Sequence, residues 1–220
     1  MLALLRLFFS ILPTLCLAAA CISSPAYPEP SEQDVLAGID ARYDTTATLS
    51  TKLWEWAEVG YQETKSSTLL QDTLAAEGFT IEAGVAEIPT AFTATYGETG
   101  PVIAVLAEFD ALPGINQSAS PERDPVRGKL AGHACGHNIF GAGSVTAAIA
   151  IKDWLDASGT PGTVRLYGTP AEEGGSGKVY MVRAGLFDDV DIALHWHADA
   201  ENSAAANTSL ANRSAKFRFS

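Results

Sequence analysis

From about Glu32 to Leu74 apolar residues recur at helical spacing. Val35, Ile39 and Tyr43 fall at i, i+4 and i+8, and Leu53, Trp56, Ala57 and Val59 form a second group before a polar break. Ser66-Ser67-Thr68 opens a further amphipathic stretch over residues 69–76, which Gly78 closes as a residue just past a helix end would. The pattern then shortens to strands at 79–81, 91–96 and 102–106, the last being the most apolar, as a buried central strand would be. A small-residue helix over 142–157 follows, then a strand at 164–167, a helical turn or two at 179–184 and a strand at 192–194. Strands alternating with helices predict an α/β fold, a mostly parallel sheet flanked by helices. No internal repeat interrupts it.

The two ends read differently. Sixteen of the first twenty residues are apolar and Arg6 is their only charge, so residues 1–20 read as a secretory signal. Pro13 and the short apolar run favour export over a permanent span. Leu17-Ala18-Ala19-Ala20-Cys21 also resembles a bacterial lipobox, with Ala18 where a branched aliphatic is more usual. Cys21 would then be lipidated and anchor the protein to a membrane, the alternative being a secreted or periplasmic chain. Residues 21–31, rich in Pro and Ser, read as a tether. At the other end Lys216-Phe217-Arg218-Phe219-Ser220 alternates like the beginning of a strand.

Composition narrows the function. With 47% hydrophobic and 18% charged residues among 220, the chain is that of a globular protein with a sizeable core. A net charge of −12 without a basic cluster speaks against nucleic acid as a partner. Cys16 lies inside the signal and Cys21 at its border, so Cys135 is the one thiol of the folded part and no internal disulfide framework is expected.

That thiol keeps company. All four histidines, 133, 137, 195 and 197, lie within 65 residues of one another, with Glu172-Glu173 between them. Taken singly, each cluster has a plain explanation. A buried cysteine is usually an inert small hydrophobe, His-x-His is commonly surface or core, and a Glu-Glu pair is commonly a solvated face. Together, His133-Ala-Cys135-Gly-His137-Asn138, Pro170-Ala-Glu172-Glu173-Gly-Gly and His195-Trp-His197 each border a predicted strand or helix start. Strand ends of open α/β sheets converge on one crevice, where thiolate, imidazole and carboxylate make a divalent-metal site. If residues 135–137 are extended, Cys135 and His137 project to the same side. Adjacent Glu172 and Glu173 would diverge, one toward metal and the other toward a water, the division that metal-assisted hydrolysis requires.

The stretches Ala107-Glu-Phe-Asp110-Ala-Leu-Pro-Gly114, Gly132-His-Ala-Cys-Gly-His-Asn138, the run from Thr163 to Gly175 ending Pro-Ala-Glu-Glu-Gly-Gly, and that from Asp188 to His197 resemble the M20 metallopeptidase family. Within it they are most similar to the amidohydrolase branch of the aminobenzoyl-glutamate, hippurate and auxin-conjugate hydrolases. The resemblance implies a zinc-peptidase-like catalytic domain whose N-terminal half occupies residues 32–212, with a lid or dimerisation domain begun at 213–220. It implies two divalent ions, Zn or Mn, held by Cys135, His137, Glu173 and His197, with Glu172 as general base and Asp110 orienting the site. It implies a small amide substrate, an N-acyl or N-aminoacyl amino acid, and a homodimer. Family members are longer and take a final His ligand from a second half, so the 220 residues alone are expected to be inactive. The rival from another class is an exported metal-binding module without turnover.

Overall fold

The computed structural model describes residues 29–204 and, beyond them, 208, 210, 211, 215 and 217–219. The signal segment, Cys21 and most of the tether lie outside the described residues, as do Arg213, Ser214, Lys216 and Ser220 of the C-terminal segment.

Ser31 starts α1 (Glu32–Ala41) with a capping box, its hydroxyl accepting from the Asp34 N–H while the Asp34 carboxylate takes the Ser31 N–H. The Val35–Ile39–Tyr43 stripe does not continue through one helix. The chain turns at Arg42, and Tyr43 opens α2 (Tyr43–Trp56) with its ring 72% exposed. Arg42 is turned to use instead, pairing with Glu77 at 2.7 Å and Asp153 at 3.0 Å and so joining three helices. α3 (Thr64–Ala76) ends before Gly78, whose φ of +90° is the left-handed corner a helix exit needs.

Five strands form the main sheet, β1 (Thr80–Ala83), β2 (Phe92–Tyr96), β3 (Val102–Ala107), β6 (Thr163–Gly168) and β7 (Ile192–Leu194), in the order β1-β2-β6-β3-β7. β3 runs parallel to β6 and β7, while β1–β2 and β2–β6 are antiparallel. The expected α/β sheet with helices against it is present, but its pairing is mixed and not mostly parallel. Residues 84–91 between β1 and β2 are too few for a crossover helix, so those strands pair antiparallel. The short strands β4 (Leu112–Pro113) and β5 (Ala131–Gly132) pair separately.

α4 (His137–Ser158) is the central helix and the β3-to-β6 crossover. Alternation along the strands sends Phe92, Ala94, Val105, Ala107, Val164 and Leu166 to one face, packed on Leu49 and Leu53 of α2, Leu70 and Leu74 of α3, and Val145 and Ala148 of α4. The other face buries Ala104 and Tyr167 beneath Met181 of α6 (Gly177–Arg183). β7, the edge strand, leaves Ile192 and Leu194 half exposed. α4 begins five residues before the small-residue pattern does, because His137 and Asn138 in its first turn are polar yet buried. The carboxyl ends of β3, β6 and β7 and the N-terminus of α4 therefore face one region.

Candidate metal centre

Past the end of β3 the alternation continues, placing Phe109 in the core and Glu108 and Asp110 on the opposite side, all almost fully buried. After β6 the chain passes Pro170 and turns a left-handed corner at Ala171 (φ 55°, ψ 41°) into the short turn α5 (Glu172–Gly175). After β7 the segment His195-Trp196-His197 is pinned through its middle residue. The Trp196 indole donates to Ser144 Oγ at 3.1 Å and lies so close to Gly143 that a Cβ there would stand 2.9 Å from the ring. His195 and His197 thus flank an anchored tryptophan.

Cys135, His137 and His197 come together, one donor atom of each lying within 4.8 Å of the others. Cys135 Sγ is 3.4 Å from His197 Nε2. The residues between Cys135 and His137 are not extended: Gly136 adopts φ 82° and caps α4, and this sharp corner, not strand alternation, turns both side chains inward. The His137 Nδ1–H donates to Asp110, with both the carbonyl and Oδ1 at 3.0 Å, which leaves Nε2 facing the cluster. Glu172 Oε2 and Glu173 Oε1 lie 3.9 and 4.0 Å from that nitrogen. The two carboxylates do not diverge as their adjacency suggested, since both approach one nitrogen; they differ in exposure, the Glu172 side chain being 42% exposed and that of Glu173 only 17%. The Glu173 backbone N–H is held by Asp110 Oδ2 at 2.9 Å. One aspartate therefore orients both an imidazole and the glutamate turn.

The other two histidines point elsewhere. His195 Nε2 lies 3.2 Å from Glu108, and His133 Nε2 bonds the Leu53 carbonyl at 3.0 Å. Glu108 is the residue that sequence reasoning passed over. It is buried, pairs with Lys178 and His195, places Oε2 3.0 Å from His137 Nε2, and forms a second donor group with His137 and Glu172. The available signal was its place two residues before Asp110 at the end of the most apolar strand.

The electrostatics follow from four carboxylates, Glu108, Asp110, Glu172 and Glu173, gathered in one place. Burial opposes charge on His137, but Asp110 and Glu108 at its two nitrogens outweigh burial and push its pKa up to about 10. Burial likewise disfavours the Glu108 carboxylate, yet His137, Lys178 and His195 bring it down to about 2. The Cys135 thiol is pushed up to about 11 by burial and then by Glu173 and its neighbours. Two buried polar atoms here, His137 Nε2 and Glu173 Oε1, make no aligned hydrogen bond. Carboxylate, thiol and two imidazoles are the donor set a borderline-soft divalent cation takes, and a cation's charge would displace the proton that the carboxylates hold on His137 and reverse the pressure on the thiol. The residues fit such an ion. An open cleft of about 510 Å³, lined by Trp54, His133, Cys135, Asn138 and Asp199 among others, adjoins the cluster.

Fold and site together define an open α/β sheet protein with a crevice of metal-ligand chemistry at its strand ends. The chain belongs to peptidase family M20/M25/M40, which matches residues 104–210. It is 44% identical over 182 residues to a p-aminobenzoyl-glutamate hydrolase polypeptide of Escherichia coli K12, covering 82% of this chain and 38% of that protein. It is 31% identical over 178 residues to the Xaa-Arg dipeptidase of Mus musculus, covering 76% of this chain and 38% of the relative. The crystal structure of the Bacillus subtilis YXEP protein, a dinuclear metal-binding peptidase from the M20 family, superposes with a TM-score of 0.61 at 28% identity, over 70% of this chain and 42% of that one. The chain thus spans about two fifths of the length of the curated relatives it matches.

Proposed function

We propose that these residues form the metal-binding and proton-transfer side of an M20 amidohydrolase that cleaves the amide of an N-acyl or N-aminoacyl amino acid, aminobenzoyl-glutamate being the model substrate. The observation that carries this reading is the convergence of Cys135 and His137 at the start of α4 with His197 after β7, beside the Glu172 and Glu173 carboxylates. Cys135, His137, Glu173 and His197 are the ligands of a two-ion centre, Zn or Mn, by donor softness and by the family resemblance. Bound ions would supply Lewis acidity and a water of lowered pKa. Glu172, the more exposed carboxylate, stands where water enters and takes the proton. Asp110 fixes the His137 tautomer and the glutamate turn.

The test is hydrolysis of p-aminobenzoyl-glutamate by the protein, including any product that continues past residue 220, with metal content measured alongside. Glu172→Gln is expected to keep its metal and lose about 10²–10⁴-fold in kcat, the usual worth of a general base. Metal lost from Glu172→Gln but retained in Glu173→Gln would reverse the two roles, and bound metal without turnover of any amide would favour a binding module.

We also propose that residues 1–20 direct export and that lipidated Cys21 tethers the enzyme to a membrane. The sequence pattern supports this. Cys21→Ser should move the protein from the membrane to the soluble fraction, since anchoring needs acyl chains. Equal partitioning of both forms would exclude the lipid anchor.

A further inference from the structure

Glu63 lies outside the family-matched region and belongs to no donor group described above, yet its side chain is fully buried. It makes no ion pair among the described residues. Its oxygens accept from the Ala171 N–H at 2.8 Å and from Thr90 Oγ1 at 2.9 Å. A buried carboxylate without a cation is costly to keep, so the bond to Ala171 has a use beyond cohesion. Ala171 is the left-handed corner directly before Glu172, at a φ that strains any residue with a side chain. Such a conformation persists only where its surroundings over-determine it.

The segment between α2 and α3 supplies that constraint. Val59 bridges Ala111, and the Ala111 N–H donates to the Glu58 carbonyl at 2.8 Å, which fixes the segment beside Asp110. Gly60 lies against the corner, where a Cβ would stand 2.9 Å from Ala171 Cα. Tyr61 Oη donates to the Gly175 carbonyl at 2.6 Å, at the far end of the glutamate turn. The Glu58 carboxylate accepts from the Ser66 N–H at 2.8 Å, locking the segment onto the start of α3. The turn carrying Glu172 and Glu173 is thus held at its entry by Glu63, at its exit by Tyr61 and in its middle by Asp110.

We infer that Glu63 is a positioning residue, its carboxylate setting the Ala171 corner and thereby the aim of Glu172 and Glu173, with Tyr61 as the second point of the clamp. The inference rests on the reading of those glutamates as base and ligand, and its test separates the two. What the clamp requires of residue 63 is an acceptor at full side-chain reach. A glutamine meets that need, its oxygen taking the Ala171 N–H and its amide donating to Thr90 Oγ1. An aspartate keeps the charge but falls one methylene short.

The experiment compares wild type, Glu63→Gln, Glu63→Asp and Tyr61→Phe by amide hydrogen exchange over residues 171–175, by Zn²⁺ affinity and by the visible spectrum of the Co²⁺-substituted protein. Glu63→Gln should match wild type in all three. Glu63→Asp should lose protection at Ala171 and at Glu173, and bind Zn²⁺ about 10–100-fold more weakly, as expected when a partner that orients a ligand is removed. Tyr61→Phe, a change at a partly exposed ring that leaves the core alone, should raise exchange at Gly175 and alter the Co²⁺ spectrum, and it carries the test if Glu63→Asp fails to fold. Unchanged exchange, affinity and spectrum in folded Glu63→Asp or in Tyr61→Phe would overturn the inference. Absence of Zn²⁺ binding by wild type would instead count against the metal centre, while the exchange comparison would still decide the clamp.

Discussion

Glu108 decides how the site is charged. It is a buried carboxylate with three nitrogen partners, His137, Lys178 and His195, which together neutralise it. Breaking a buried pair leaves its partner uncompensated, which costs about 3–5 kcal/mol, and the partial exposure of Lys178 favours the lower figure. Glu108→Gln is therefore expected to lose about 3 kcal/mol in urea denaturation, whereas Lys178→Met, which leaves the carboxylate its two imidazoles, should lose less. Equal stability of Glu108→Gln and wild type would show that the cluster is held together by its other contacts. Cys135, His137, Glu172, Glu173 and His197 were legible in the sequence because cysteine, histidine and paired glutamates stand out when three such groups fall at predicted element borders. Glu108 and Glu63 were not legible, because a single glutamate beside an apolar run looks like an ordinary surface residue. Only the third dimension shows that one ends a buried strand and the other reaches a backbone N–H 108 residues away.

At the scale of elements, the strands and helices fell where hydrophobic period placed them, and the departures occur where polar residues do structural work. The joint between α1 and α2 is one of these. Arg42 breaks an apolar stripe and then binds Glu77, which caps α3, and Asp153 on α4. The Asp153 carboxyl is exposed enough that burial, which raises its pKa, is outweighed by Lys152 and Arg42, and the net shift is downward. A carboxyl whose pKa is lower in the folded chain contributes stability above its unfolded value, near 4, and loses it as pH falls through the folded value. Arg42→Ala should therefore lower the urea midpoint at pH 7, with its gap to wild type narrowing as pH falls through the lowered Asp153 pKa and the carboxylate takes up its proton. A gap that stays constant through that fall would assign the loss to packing of the arginine stem instead. Parallel against antiparallel pairing was less legible than element position, because a strand's residues do not record which neighbour it meets. The short connection from residue 84 to 91 was the only local clue that β1 and β2 run opposite ways.

For the whole molecule, the donor cluster is a place where distant parts of the chain must agree. The end of β3, the turn after β6, the segment after β7 and the first turn of α4 all reach it, so an ion bound there ties together elements from residue 108 to residue 197. With four carboxylates converging and a net charge of −12, the cluster stores repulsion that a divalent cation relieves. Binding to the folded state alone stabilises by about 2.7 kcal/mol at a free ion concentration of 100 Kd, or roughly 5–10 °C in Tm for a chain of this size. Zn²⁺ or Mn²⁺ should raise Tm by that order relative to a chelated sample. An acidic chain also attracts cations diffusely, and such attraction is indifferent to ion type and fades once salt shortens the screening length. The site effect should survive addition of molar-range NaCl, be absent with Mg²⁺ and shrink in Cys135→Ala, which removes the thiolate that distinguishes softer ions. A Tm shift equal for Zn²⁺ and Mg²⁺, abolished by salt and unchanged in Cys135→Ala, would mean that the cluster is an acidic surface feature and that the ion-binding reading of Cys135, His137 and His197 is wrong.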